Sequence, residues 1–548
     1  MNTVSKRQFL GGAAALTVST VLVKFIGLAY KIPLMHCLGA EGMGYFNSAY
    51  EIYTLFFVIA TAGVPVAISI MVSENIALGR LKNAQKIYRT SLCVLISVGG
   101  AGALFMGLGA GLLADCIGNP GARLSLAFVA PTVFFVSVSG AVRGYFQGCR
   151  NMVPTAVSQV IESLGKLILG LFFAAWAKKC GMTEEQISAM AILGLSVGTA
   201  IATAYLCIVK SRAKTVLECR VLDNTPDKFG KLAKRLVKLA IPVTVGSVLV
   251  SLTRIVDMMA IMGRLNSAEK ISVYGIYSTM CLPIYNLPSS LVAGIALALV
   301  PSITNAVQAS QVQREERIVA SGIKLCALIS LPASFGIGVY AKNVLELLFS
   351  GQTKEILVAA PLLTALSVSV FASCLLQVTN SVLQANGKIY HPIISLTCGM
   401  VVKCVSAYIL IGLPDVGIMG APVSTLLCNV TAVVVNLIFL DKYTAAKIEL
   451  ADILKKPTLC SAVSIVMSVL LFVLLSAVGL DTRIVFFSSV LLCASVYFVS
   501  VVLFGGLDSE EFEMLPVGNR LEAICNKINK GKKNNEQRRK NKTAFGKK

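Results

Sequence analysis

The chain has 548 residues, 56% of them hydrophobic and only 14% charged, with a mean hydropathy of +0.77. Soluble domains carry about 25% charged residues, so a water-soluble globular protein is excluded and the chain reads as an all-α, polytopic membrane protein. The formal net charge of +22 would suit a polyanionic partner, but its placement along the chain points elsewhere.

Apolar runs near or above the ~20 residues that cross a bilayer recur fourteen times. They lie at 8–30, 46–72, 91–114, 124–142, 155–177, 187–209, 237–262, 278–300, 320–340, 357–384, 391–412, 416–440, 457–479 and 484–504. None shows the ten-residue alternation of a membrane β-barrel. Lys6-Arg7 followed by Phe9-Leu10 has the look of a twin-arginine export signal. The apolar run passes through Ala13-Ala14-Ala15 to Tyr30, however, too long for a signal core, so it is read as a first membrane helix.

Lysine and arginine orient the spans. With the N-terminus inside, the cytoplasmic segments hold 34 of the 49 basic residues, against nine in outer loops and six within spans or at their edges. That asymmetry satisfies the positive-inside rule with both termini cytoplasmic at the cell membrane. Eleven basic residues lie between Arg520 and Lys548, a tail expected to rest on anionic membrane lipids rather than on nucleic acid. The sixteen cysteines and two histidines show no metal-ligand spacing, and neither disulfides nor zinc are expected.

The chain repeats itself. Gln147 and Lys166 are nineteen residues apart with Pro154 between them, and so are Gln384 and Lys403 with Pro392 between them, a shift of 237 that also pairs Arg143 with Asn380. Thr17, Thr20 and the VLV at 21–23 match Thr244, Ser247 and the VLV at 248–250, a shift of 227. Such repeats mark two-lobed transporters. The expected organisation is a six-helix lobe at 1–209, a basic cytoplasmic linker at 210–236, a second six-helix lobe at 237–440, two extra helices within 441–504, and the basic tail at 505–548.

Polar residues recur on single helix faces. The first span carries Thr17, Thr20, Lys24, Gly27 and Lys31, the seventh Thr244, Ser247, Ser251 and Arg254 with Asp257 beside them. The fifth offers Gln159, Glu162 and Lys166, the eleventh Ser395, Gly399, Lys403 and Ser406. The fourth and tenth continue inward with Arg143, Gln147, Asn380 and Gln384. A charge at the bilayer centre costs at least about 2.5–3.5 kcal/mol, so these groups should face protein or water. Lys24, Lys31, Arg254, Lys403, Glu51 and Asp257 are the candidate substrate-binding residues. Glu162 and Lys166, an i,i+4 pair, are expected to form a structural ion pair or to line a cavity, as are Gln147 and Gln384. Arg254 could be neutralised by Asp257, and Lys31 could snorkel to the outer interface. The in-span charges are mostly basic, which suits an anionic headgroup.

RGYFQGCRNMVPTAVSQVIE at 143–162 and TAGVPVAISIMVSE at 61–74 resemble the polysaccharide-synthesis branch of the multidrug/oligosaccharidyl-lipid/polysaccharide flippase superfamily. The likeness is nearest to its stage V sporulation protein B group, kin to the lipid II flippases, and covers about 5–505. It implies two six-helix lobes around a central cavity lined by helices 1, 2, 7 and 8, switching by alternating access, with helices 13 and 14 shaping a groove for a polyprenyl tail. Lipid II flippases typically carry cavity arginines on the early helices, where this chain has Lys24 and Lys31. The expected function is export of an undecaprenyl-pyrophosphate-linked oligosaccharide, a peptidoglycan precursor for cell wall or spore cortex. Its partner is a polyprenyl-linked anionic glycolipid; no covalent step and no cofactor are involved, and a coupling ion stays open. The rivals are a cation-coupled multidrug exporter of the same superfamily and, less well supported, a membrane glycosyl polymerase.

The charge bias predicts that single cysteines placed in 210–236 and after 505 are labelled only from the cytoplasmic side. Labelling of either segment from outside would overturn the fourteen-span topology.

Overall fold

The computed structural model describes residues 3–212, 227–444 and 450–503, with side chains described from Leu16 onward except those of Thr17 and Leu503. The middle of the 210–236 linker and the basic tail from 505 lie outside the described residues. In chain order the helices are α1 (Thr3–Thr61), α2 (Gly63–Ala77), α3 (Leu81–Leu108), α4 (Ala110–Cys116), α5 (Arg123–Gly148), α6 (Val153–Lys179), α7 (Glu184–Arg212) and α8 (Phe229–Arg264). They continue as α9 (Lys270–Ile276), α10 (Leu282–Gln308), α11 (Val312–Leu348), α12 (Thr353–Ala385), α13 (His391–Ile411), α14 (Gly420–Tyr443), α15 (Leu450–Ala477) and α16 (Thr482–Leu503). The described residues contain no strand.

Among the described residues, thirteen helical stretches are long and apolar enough to cross a bilayer, and the first, Val18–Ala77, contains a break at Gly39. Counting its two arms gives the fourteen crossings read from the sequence. Gly39 sits at φ 71°, ψ −178°, a conformation open to glycine alone at little cost. Each side of such a break leaves backbone groups without helical partners. The carbonyl of His36 accepts from Lys178 Nζ at 2.8 Å, and the carboxylate of Glu184 accepts a hydrogen bond from the backbone of Gly42. A cation therefore meets the C-terminal end of the first arm, and an anion the N-terminal end of the second, matching their dipoles.

Two compact units emerge. The first comprises the described residues of Met1–Pro283, Leu348–Leu362 and Leu396–Ser424, the second those of Ile284–Leu347, Leu363–Ser395 and Thr425–Lys548. In the first, α5 and α7 are joined by hydroxyl pairs at heptad spacing: Ser125–Ser188 (2.8 Å), Thr132–Ser196 (2.6 Å) and Ser139–Thr203 (2.7 Å). Membrane helices lack a hydrophobic drive to associate, so such contacts and small-residue packing take its place. Between α6 and α7 the packing is glycine on glycine. A Cβ on Gly198 would lie 2.9 Å from the Gly165 carbonyl carbon, and one on Gly194 only 2.3 Å from the Gly170 nitrogen.

The start of α8 is tied to α2 and α3. Leu232, Leu236 and Ala240 join a cluster with Ile68, Met71, Val72 and Ile87. Glu74 receives Arg235 at 2.6 Å, and Asn83 bridges Asn75 and Asp227. Chiefly the Lys231 hydrogen bond holds the Asp227 carboxyl below its ordinary value.

Between α9 and α10 the chain makes one π turn, Tyr277–Cys281, in which Leu282 N–H returns to the Tyr277 carbonyl. The next carbonyl, that of Ser278, would look to residue 283, which is proline and has no N–H. Lys31 Nζ supplies the missing donor at 2.8 Å. Lys31 thus turns inward to a backbone oxygen instead of snorkelling.

In the second unit α11 receives the last two helices. Tyr340 Oη meets Ser468 Oγ at 2.7 Å, and Tyr497 Oη donates to the Leu328 carbonyl at 2.6 Å.

Among the described residues, two intramembrane ion pairs between helices are close enough to be hydrogen-bonded, and both differ from the sequence expectation. Lys403 on α13 donates to Asp257 on α8 at 2.7 Å, with both side chains buried, so Asp257 neutralises Lys403 and not Arg254. Glu162 is taken by Arg143 at 2.9 Å and not by Lys166. The reason lies in the turn between α5 and α6. Arg150 adopts φ 60° to close α5 and Pro154 opens α6, so the two helices fold back with Arg143 facing Ser158 and Glu162. The guanidinium then binds both, Nε to Ser158 Oγ at 3.0 Å and Nη2 to the carboxylate.

Removing one partner of a buried pair costs roughly 3–5 kcal/mol, whereas replacing both by apolar residues is often neutral. Asp257→Leu or Lys403→Met alone should therefore lower thermal stability and membrane abundance sharply, and the double variant should recover most of both. Singles with wild-type melting temperature and abundance would contradict the pairing.

Candidate functional site

A cavity of ≈ 310 Å³ opens among α1, α5, α6, α7 and α8. Thr20, Gly27 and Tyr30 reach it from the first arm of α1, and Tyr50, Tyr53 and Thr54 from the second. Arg143 comes from α5, Gln159, Glu162 and Lys166 from α6, and Arg254 from α8. The two arms of α1 can both contribute because the chain reverses at Gly39.

The polar groups of this cavity differ in how far they are committed. Arg143 and Glu162 satisfy each other. Gln159 Oε1 accepts from Ser19 Oγ at 3.4 Å, closing α1 on α6. Arg254 stands 3.9 Å from Glu51, beyond hydrogen-bond reach, with its side chain 41% exposed. The Glu51 Oε2 atom is buried without a hydrogen-bond partner. Lys166 Nζ lies over two rings, 4.3 Å from the centroid of Tyr50 and 5.2 Å from that of Tyr30. A cation over aromatic faces gains about 0.5–2 kcal/mol, enough to hold the amine but not to neutralise it. Three cations and one carboxylate line the cavity, which is therefore positive.

The structure gathers part of the candidate set here. Arg254, Lys166 and Glu162 line the cavity, and Glu51 adjoins it through Arg254. Lys31 is held at the π turn, and Lys403 and Asp257 hold each other. Lys24 is exposed, one residue off the stripe of Thr20, Val23, Gly27 and Tyr30 that faces the cavity. Gln147 is half-buried and Gln384 exposed, and neither lines the cavity. In the sequence Tyr30 stands out only as a neighbour of Lys31, and neither Tyr50 nor Tyr53 is singled out, since an aromatic ring in an apolar helix gives no signal that sets it apart from lipid-facing residues. Arg143 was visible as part of a polar stripe, but its partner was not.

The chain matches the family model described as polysaccharide biosynthesis protein over residues 9–307, and the MatE model over 242–409. Its relatives include three proteins of Bacillus subtilis (strain 168). The uncharacterized membrane protein YabM is 26% identical over 94% of this chain and 97% of its own. The lipid II flippase MurJ is 23% identical over 84% and 87%, and stage V sporulation protein B 23% over 94% and 99%. Among solved structures, lipid II flippase MurJ in an inward closed conformation aligns with a TM-score of 0.67 at 16% identity, covering 89% of this chain and 98% of that one. An inward-facing multidrug resistance MATE family transporter of the MOP superfamily aligns at 0.63, also at 16% identity, over 77% and 93%. These likenesses establish the fold of a multi-pass membrane transporter, and the chain belongs to the polysaccharide biosynthesis protein family.

Proposed function

We propose that the protein is a flippase that exports a polyprenyl-diphosphate-linked oligosaccharide across the cell membrane. Its substrate is read as an undecaprenyl-linked peptidoglycan precursor for cell wall or spore cortex. The observation that carries this reading is the sign of the cavity: Arg143, Lys166 and Arg254 against Glu162. Moving a sugar headgroup through hydrocarbon leaves polar groups unpaired at several kcal/mol each, and a wet, basic cavity removes most of that barrier. The name of the lipid II flippase MurJ supports the same class of cargo, and that of stage V sporulation protein B supports a role in sporulation. In this reading the lobes 1–209 and 237–440 alternate access around the cavity, both termini are cytoplasmic, and the uncharged stretches at 457–479 and 484–504 accommodate the polyprenyl tail. The step is transport, with no bond made or broken.

Arg254, which lines the cavity, would hold the diphosphate, with Lys24 joining it from the edge of the cavity-facing stripe of α1. A bound dianion relieves repulsion among these cations and so favours the closed side, which couples binding to switching.

One observation favours a cation-coupled exporter instead. A buried carboxylate oxygen without a hydrogen-bond donor, Glu51 Oε2, suits a transported proton or cation, and the MatE match covers part of the chain.

The test compares variants for exposure of lipid-linked precursor at the outer face, with a blot for protein level. Arg254→Ala and Lys24→Ala should abolish exposure at near-normal abundance, and Lys24→Arg should retain part of it. Full transport by the Lys24→Ala, Arg254→Ala double variant would overturn the assignment, and loss of drug efflux in place of lipid export would favour the exporter.

A further inference from the structure

The internal repeat, applied to the observed contacts, singles out Lys166. The shift of 237 equates Lys166 with Lys403, and the shift of 227 equates Tyr30 with Asp257. Lys403 and Asp257 form a buried ion pair at 2.7 Å. Lys166 and Tyr30 occupy the matching positions and also meet, but as a cation over a ring at 5.2 Å, with Tyr50 as a second platform. One half of the chain therefore neutralises its lysine with a carboxylate. The other half has put tyrosine in the carboxylate's place and left the charge uncompensated. Among the described residues that line the same cavity, the one carboxylate, Glu162, is engaged by Arg143, whose Nη2 donates to it while Nε donates to Ser158.

We infer that Lys166 is a specificity-determining residue that binds a carboxylate on the substrate's headgroup, so that the exported lipid is an acidic one whose charge lies partly outside the diphosphate. This rests on the flippase reading above and names the class of its cargo. A carboxylate fits better than a diphosphate for three reasons. A single uncommitted amine compensates a monoanion, whereas a diphosphate calls for several cations. The Glu162 carboxylate on the same helix would repel a multivalent anion more strongly than a monovalent one. Gln159 and Ser163, which line the same wall, bring neutral polar groups suited to the rest of a saccharide. The arriving carboxylate takes the position that Asp257 occupies relative to Lys403, supplied by the ligand and not by the chain.

The test uses full-length protein in lipid nanodiscs and two probes: an undecaprenyl-diphosphate-linked glycan bearing one free carboxylate, and the same lipid with that group converted to a carboxamide. Wild-type protein should bind the carboxylate form about tenfold more tightly, the value of one charge-assisted hydrogen bond. Lys166→Gln should bring that preference to near unity, Lys166→Arg should keep most of it, and Arg254→Gln should weaken both lipids while leaving the preference in place. Equal binding of the two lipids by wild-type protein, a result that needs no variant, would overturn the inference, as would a preference that survives Lys166→Gln. Failure of wild-type protein to bind either lipid would instead remove the flippase reading, and the inference with it.

Discussion

An ionised side chain within a bilayer must find a partner or water, and most of this structure follows from that requirement. Six basic residues sit within the predicted spans or at their edges and only a few carboxylates accompany them. The chain resolves the imbalance in different ways: Lys403 takes Asp257, Arg143 takes Glu162, and Lys166 rests on tyrosine rings. At the edge of the spans, Lys31 takes a backbone oxygen orphaned by proline. Arg254 stays partly exposed, with Glu51 near but not bonded. The paired groups build the protein. What is left over, on Lys166 and Arg254, makes the cavity basic.

Backbone breaks place these groups as much as side chains do. Gly39 reverses α1 so that both of its arms flank one cavity, and the reversal persists because Lys178 and Glu184 satisfy the two exposed helix ends. The π turn before Pro283 creates the acceptor that holds Lys31. In each case a local departure from α-helix, set by glycine or proline, positions a charge some distance along the chain.

Much of this was legible from composition and pattern. The helical class, the fourteen crossings and the repeat follow from hydropathy and from residues such as Gln147 and Gln384 that recur at fixed spacing. The choice of ion-pair partner was not legible. Glu162 and Lys166 are ideally spaced on one helix, but an arginine arriving from a neighbouring helix brings two donors and a hydroxyl partner, and it displaces the local pair. Likewise Asp257 lies three residues from Arg254, yet points to α13. Spacing along a helix reports which residues share a face, and only the packing of neighbouring helices decides what that face meets. The aromatic platforms for Lys166 were hidden for a related reason: tyrosine is at home in a membrane helix whether or not it holds a cation.

The central claim is that a basic cavity carries the headgroup of a lipid-linked saccharide from one leaflet to the other. Reconstitution tests it most directly, with purified protein as the only protein in sealed vesicles whose inner leaflet is loaded with an undecaprenyl-diphosphate-linked saccharide. The measured quantity is the fraction of that lipid open to an impermeant sugar-modifying reagent outside. The account predicts that this fraction rises with time in vesicles containing the protein and stays flat in empty ones. Equal, slow exposure in both, with correctly inserted protein, would contradict it.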